Sequence, residues 1–481
     1  MQEKQKYRKY KAWMQERTSA ALGRLDECPR SLSGTGGDSL IIRDAIHGNI
    51  GLEPIPQLIV DSPEFQRLRD IHQLGLCYLF HLNCQQTRFE HCIGTYHLTC
   101  QLLSSFETDS AYSGPKLTSS EILELKIAAL CHDIAAFNVR SLYQIGQQSA
   151  LARTLETFQL DVCCVTETRI QDPTSIISMR APDPTSSSSF TLLVSGDSAS
   201  EDRGHEKLSF VILRRIINNN EVLRKKLDEE HVNLDVVKNL ILGLPTLILS
   251  NEENGLDVDK LDYLLRDSHY SGIDRGLSLV KLIRLIQSIR PAAYLDEHMQ
   301  EDQPLSNINP KWHLSIPESE LENVLSIFNL RNLLHRRIYQ HNSVTALNLM
   351  LLDALNTLEH VTNWRELSLK AQNAANEHEL DQFLQLTDGL LWNMYHKRIR
   401  LPISPADTFR RELDKASGII HKMLTLDLYK FVDCLYVVQM NDSMDESTVP
   451  YPRNLYINGT IVPRNRVFCD PVSSVCVFVC M

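Results

Sequence analysis

The chain has 481 residues, 43% hydrophobic and 23% charged, an ordinary globular balance with enough length for a sizeable core. Its 49 Lys+Arg against 60 Asp+Glu give a net charge of −11, which argues against indiscriminate attraction to nucleic acid. The twelve cysteines form no paired CxxC knuckles, which excludes a zinc ribbon or a disulfide scaffold and points to reduced thiols in the nucleus or cytoplasm.

Residues 1–38 carry a basic run (Lys4, Lys6, Arg8, Lys9, Lys11) and end in SLSGTGGDS, which reads as a flexible leader. No apolar segment follows the basic start, so a secretory signal is not expected. From Leu40 the pattern tightens, with LIIRD and QLIVD each fitting either a strand or the entry to a helix. The spacing of Ile122, Leu125, Ile127, Ala128, Leu130 and Cys131 predicts a buried helix that runs into His132 and Asp133. Helical periodicity dominates 205–290 and 318–435. Between them and the first helices, about 171–203 is a Ser/Thr/Pro-rich stretch that reads as a disordered insertion. Residues 436–481 lose the helical period, and their last apolar run, VCVFVCM, is too short to span a bilayer. The fold expected is mainly α with minor short β elements, in a soluble protein.

Four segments place polar residues where a core helix would avoid them: TRFEHCIG, AALCHDIAAF, GHEKLSF and NGLDVDKLDYLLRDSHYSGI. A His-Asp pair that ends an apolar helix is costly to bury unless both groups are paired or bind a metal. An upstream His and a distant downstream Asp would complete two imidazoles and two carboxylates, a set that suits Fe, Mn, Zn or Co. Taken singly, Lys260 and Arg266 also fit surface ion pairs, and Tyr263 and Tyr339 also fit core packing.

The strings RDAIHGNI, VDSPEFQRLRDIHQLG, RFEHCIG, AALCHDI, NGLDVDKLDYLLRDSHYSGI and RNLLHRRIYQH together resemble the SAM- and HD-domain deoxynucleoside triphosphate triphosphohydrolase family of animals, here without its SAM domain. The resemblance implies an HD-domain helical fold over residues 39–435, with 436–481 as a divergent tail in place of the family's C-terminal lobe. It also implies one divalent transition metal (Fe, Mn or Zn) held by His91, His132, Asp133 and Asp259, with Mg accompanying the nucleotide. By the same resemblance Gln73 and Leu74 face the deoxyribose, and Arg88, Lys260 and Arg331 face the phosphates. Tyr263, Asp267, His335, Tyr339 and Gln340 line the sugar and base, and Arg331, His335 and Tyr339 share a helical face at i, i+4, i+8. His205, with Glu206, matches the candidate general acid. Asp61, Gln66 and Arg69 match a guanine-reading regulatory site that takes GTP or dGTP; the same segment also reads as a capped helix start with Pro63 in its first turn.

The implied reaction is water attack on the α-phosphorus of a dNTP, giving a deoxynucleoside and inorganic triphosphate and lowering dNTP pools. A homo-oligomer and a single-stranded nucleic-acid partner are further implications of the family, and a membrane is not. The chain departs from the family after Asp133: Ala136 and Ser141 stand where two pocket histidines belong, and Gln144 replaces a carboxylate. The alternative expectation is therefore a catalytically impaired relative that binds nucleotides or nucleic acid without efficient turnover.

Overall fold

A short hairpin comes first among the described residues, and its turn is dictated by one aspartate. Strands β1 (Leu40–Asp44) and β2 (Gly48–Leu52) pair antiparallel, with Asp44 opposite Gly48. The Asp44 carboxylate accepts from the main-chain N–H groups of Ile46 at 2.9 Å and His47 at 2.8 Å, an Asx turn that positions the imidazole of His47. Gly48 closes the turn at φ 74°, a region open to glycine at little cost. Thus LIIRD is a strand, whereas QLIVD falls mostly within a helix.

In this computed structural model the residues described are 40–107, 116–136, 176–180, 189–193, 204–243, 247–251, 255–273, 278–294, 311–373, 377–399, 406–436, 455–457, 460–462 and 474–479. The expected leader, most of the Ser/Thr/Pro-rich insertion, most of the tail, Ser141 and Gln144 lie outside them. The described residues are mainly helical. The helices are α1 (Pro54–Val60), α2 (Pro63–Gln66), α3 (Arg88–Glu107), α4 (Ser119–Cys131), α5 (Gly204–Asn219), α6 (Glu221–Glu229), α7 (Leu234–Ile241) and α8 (Val258–Ser271). They continue as α9 (Leu279–Ser288), α10 (Leu321–Leu334), α11 (Asn342–Thr362), α12 (Trp364–Ala371), α13 (Glu377–Leu384), α14 (Gly389–Tyr395) and α15 (Ala406–Leu424). The β content is small two-stranded antiparallel pairs: besides β1–β2 these are Ile176–Arg180 with Ser189–Leu193, Arg290–Tyr294 with Lys311–Ser315, Lys430–Tyr436 with Ser474–Val479, and Leu455–Ile457 with Thr460–Val462. No helix among the described residues is long and apolar enough to cross a membrane.

Two compact units are present. One comprises residues 1–138, 205–341 and 367–390; the other comprises 139–204, 342–366 and 391–481. In the second unit, α11 packs along α15. All the candidate site residues fall in the first, whose centre is α3. This helix packs against α4, α8 and α9, and is buried on nearly every side. Its sequence therefore lacks a clean polar face. The hydroxyls it buries bond back along the helix: Thr95 donates to the His91 carbonyl at 3.0 Å, and Thr99 to that of Thr95 at 2.9 Å.

Helix starts follow their sequence signals. Thr118 and Glu121 form a reciprocal capping box at α4, so the apolar run Ile127–Cys131 ends at His132 with its register fixed. Asp257 caps α8 through a bond from the Lys260 N–H at 2.8 Å, and Gly272 ends that helix at φ 70°. Where α3 crosses α8, Gly94 has no room for a side chain: a Cβ there would lie 2.0 Å from Asp262 Oδ1 and 2.5 Å from Arg266 Nη2. Both atoms are held in a buried ion pair, so neither can swing aside.

Gly94→Ala is therefore expected to cost at least about 2 kcal/mol by overpacking and by disturbing that pair. Gly51→Ala, where nothing lies within 4 Å of the new methyl, is expected to change little. Denaturant midpoints of the two variants check this, and an unperturbed Gly94→Ala would contradict the close crossing.

Candidate metal centre

The end of α4, the first turn of α3 and the first turn of α8 meet at one point. His91 Nε2 lies 3.0 Å from Asp259 Oδ1, and His132 Nε2 lies 3.4 Å from the same oxygen. Atoms of His91, His132 and Asp259 all fall within 4.8 Å of one another, a spacing at which one ion could touch all three. His132 Nε2 is buried, and among the described residues its polar neighbour is Asp259 Oδ1, with no better-aligned hydrogen-bond partner. Two imidazoles and a carboxylate fit a borderline divalent cation.

Asp133 stands beside this trio but is engaged differently. Its carboxylate is ion-paired with Arg88, and it lies 3.8 Å from His132 Nε2 and 4.0 Å from His91 Nε2. Burial alone would raise its pKa, yet the Arg88 guanidinium and the two imidazoles hold it well below the usual carboxylate range. Asp259 is likewise held low by His132 and His91 against its burial. His91 shows the converse: burial disfavours its charge, but the carboxylates of Asp259 and Asp262 lift it to about 10. His132 is raised too, against its burial, by Asp133 and Asp259. The pocket thus has a strong demand for positive charge, which protons or a divalent ion can meet.

Behind His91 lies a second layer that no sequence pattern assigned. His91 Nδ1 is 2.8 Å from Asp262 Oδ2, and His47 Nε2 is 2.6 Å from Asp262 Oδ1. Arg266 donates to both oxygens of Asp262 at 3.0 Å and to Asp44 at 2.8 Å. Arg266 is fully buried, so the surface ion pair its sequence position allowed is not what forms. Lys260 does form an ion pair, reaching Asp257 at 2.6 Å within the first turn of its own helix.

A polar cluster adjoins the histidines. Asp267 accepts from Tyr339 Oη at 2.7 Å and from Gln86 Nε2 at 2.9 Å, and Gln73 donates its N–H to the Gln86 carbonyl at 2.8 Å. Among the described residues, the Gln73 side-chain oxygen is buried without a hydrogen-bond partner. Burial lifts the Tyr263 phenol to about 12, against the pull of the Arg331 guanidinium beside it. His335 meets Tyr339 edge-on at 4.9 Å within a π-helical turn, His335–Tyr339, that follows α10. Such turns re-aim side chains that a regular helix would stack in line. Leu74 is half-buried and Gln340 is exposed. Gln86 was not singled out from the sequence, having no motif around it.

The remaining predicted positions are less gathered. Glu206 is half-buried near the start of α5; His205 belongs to the same helix, but its side chain lies outside the described residues. Ala136 is buried. Gln66 bonds the Val60 carbonyl at 2.8 Å and accepts from Arg69 Nε at 2.8 Å, and the Arg69 guanidinium sits 3.6 Å over the Phe89 ring. Asp61 is exposed at the end of α1, and Ser62 caps α2 ahead of Pro63, as the capped-start reading anticipates. A cleft of about 240 Å³ lies beside Arg69, lined by Arg43, Asp44, Phe89, Glu90 and Tyr270.

A mainly helical body that brings an upstream His, a helix-ending His-Asp pair and a distal Asp together has the arrangement that HD proteins are named for. Curated proteins similar in sequence include deoxynucleotide triphosphohydrolases and an HD domain-containing protein. The chain is 25% identical over 436 residues to deoxynucleoside triphosphate triphosphohydrolase SAMHD1 of Mus musculus, covering 84% of this chain and 56% of that protein. It is 25% identical over 435 residues to the putative HD domain-containing protein L394 of Acanthamoeba polyphaga mimivirus, covering 86% and 77% respectively. A Dictyostelium discoideum homologue of SAMHD1 is 25% identical over 408 residues, covering 83% and 61%. No family model matches. Over most of its length the chain is thus a relative of the SAMHD1-like HD proteins, and it spans a little over half the length of the mouse protein.

Asp267 gives the polar cluster a pH signature. Burial pushes its carboxyl up to about 6, whereas an unfolded Asp titrates near about 4. The folded state therefore binds this proton more tightly, so stability from this group is full below about 4 and is lost as pH rises through about 6. Asp267→Asn keeps an acceptor for Tyr339 but cannot ionise. Relative to wild type it is expected to gain up to about 3 kcal/mol between pH 4 and 7; parallel pH-stability curves would contradict the buried carboxyl.

Proposed function

We propose that the chain is a metal-dependent hydrolase of deoxynucleoside triphosphates, releasing a deoxynucleoside and inorganic triphosphate. The observation that carries this reading is the convergence of His91, His132 and Asp259 within 4.8 Å, next to Arg88 and to the Gln73–Gln86–Asp267–Tyr339 cluster. The names of the SAMHD1 relatives support the choice of substrate.

In this reading His91, His132, Asp133 and Asp259 hold one Fe, Mn or Zn ion. Bound there, the ion supplies Lewis acidity to a phosphate oxygen and to the attacking water. Arg88, Lys260 and Arg331 neutralise and orient the triphosphate, as bidentate and point cations do for phosphates. Gln73 and Leu74 close on the deoxyribose, and the unpartnered Gln73 oxygen is an acceptor ready for a sugar hydroxyl. Tyr263, Asp267, His335, Tyr339 and Gln340 line the sugar and base. His205, with Glu206, protonates the leaving oxygen; an imidazole near its reference value suits that task at neutral pH. Asp61, Gln66 and Arg69 form the regulatory guanine site for GTP or dGTP: Arg69, stacked on Phe89 and bonded to Gln66, presents a rigid, flat donor surface. Assembly into a homo-oligomer belongs to the same proposal, as does lowering of dNTP pools in nucleus or cytoplasm.

A second reading, nucleotide binding with little turnover, draws on Ala136, whose buried methyl offers no proton or hydrogen bond where the family has a histidine. One assay separates them. Purified protein with dGTP, GTP and Mn²⁺ is expected to release inorganic triphosphate and deoxyguanosine, with His132→Ala at background. Release no greater than that of His132→Ala, with dGTP still raising the thermal midpoint, would replace hydrolysis by binding.

A further inference from the structure

Helix α8 opens with three acidic residues within two turns, Asp257, Asp259 and Asp262, and their surroundings divide them. Asp257 caps the helix and pairs with Lys260. Asp259 faces the imidazole nitrogens of His91 and His132. Asp262 is fully buried, and its two oxygens meet His91, His47 and both the Nε and Nη2 of Arg266. Four such partners saturate a carboxylate, so Asp262 has no lone pair directed at an ion.

A carboxylate in a two-point pair with a buried guanidinium stays ionised and can only accept. His91 must therefore present Nδ1–H to it, so the proton that an ion displaces is the one on Nε2, the nitrogen that faces Asp259, and the lone pair freed there is the one directed at the ion. His132 reaches the same state by another route, with Nδ1 2.9 Å from the Ala129 carbonyl. One imidazole is thus oriented by the main chain and the other by a side chain. We propose that Asp262 is the positioning residue of the metal centre: by fixing the tautomer and ring plane of His91, and itself clamped by Arg266 and His47, it sets the affinity for the ion. Asp44 extends the clamp, holding Arg266 with one oxygen and the His47 main chain with the other. The β1–β2 turn in this way steadies Arg266 and His47 from one step further out, touching none of the proposed ligands. Outer carboxylates on ligating histidines commonly change metal affinity about 10- to 100-fold when removed.

The inference rests on the metal-binding part of the function proposed above. The test uses the full chain stripped of metal, titrated with Mn²⁺ by equilibrium dialysis and with Co²⁺ by visible absorption. Wild type is expected to take one ion. Asp262→Asn is expected to raise Kd about 10- to 100-fold and to shift the Co²⁺ bands. Asp44→Asn, which loosens Arg266 without touching His91, is expected to lower the thermal midpoint but to keep the wild-type Kd and bands. An unchanged Kd in folded Asp262→Asn, or an equal loss in Asp44→Asn, overturns the positioning role alone. No binding by wild type overturns the metal reading and this inference with it. If Asp262→Asn does not fold, Zn²⁺-loaded, ¹⁵N-histidine-labelled wild type decides: a slowly exchanging Nδ1–H, assigned by its loss in His91→Gln, supports the role, and a His91 protonated on Nε2 overturns it.

Discussion

The buried ion pair of Asp262 with Arg266 is the constraint around which the candidate site is built. Two charges without water are expensive, and the cost is offset only when each finds further partners of good geometry. Here each does: Asp262 receives His47 and His91, and Arg266 receives Asp44. These partners come from the β1–β2 turn and from α3, and the pair itself from α8, so satisfying it fixes three segments far apart in the chain. Gly94 is the steric condition for it, since any side chain there would occupy the space of the pair. Removing one member would leave a buried charge uncompensated, which is far more damaging than never having had the pair.

From that anchor the chemistry follows outward. His91 is held from behind, His132 by the carbonyl of its own helix, and Asp259 projects from the first turn of α8 between them. The carboxylates there remain ionised despite burial because cationic groups surround them, and the imidazoles are drawn toward the protonated state by those carboxylates. A divalent ion would displace those protons, so its affinity must fall as pH falls. The pairing of Arg88 with Asp133 sets a guanidinium against the carboxylate beside His91 and His132, so an anion binding there would meet both charges at once.

The gathering of His91, His132 and Asp259 was legible through the family resemblance of the motifs around them. Local pattern alone marked only the His-Asp pair at the end of an apolar run, since His91 by itself also fits a core histidine and Asp259 shares its segment with Asp257, Asp262 and Asp267. The mainly helical class was legible from periodicity. Asp133 was read as an equal ligand, and only the fold reveals its engagement with Arg88. The roles of Asp44 and His47 were not legible, although RDAIHGNI was noticed. Their partner Asp262 lies more than two hundred residues away, and no local period encodes such a contact. Arg266 looked like a surface cation because burial of an arginine depends on carboxylates brought by other segments. Gln86, with no motif around it, acquires meaning only through Asp267.

The proposed function requires the first unit of the chain to hold a single divalent transition metal among His91, His132, Asp133 and Asp259. Metal analysis of the purified full chain after saturation and removal of free ions tests it most directly. One Fe, Mn or Zn per chain, lost in His91→Ala, His132→Ala and Asp259→Ala while helix content is retained, is the result expected. No bound metal in wild type, or a full complement retained by any of the three variants, would contradict it.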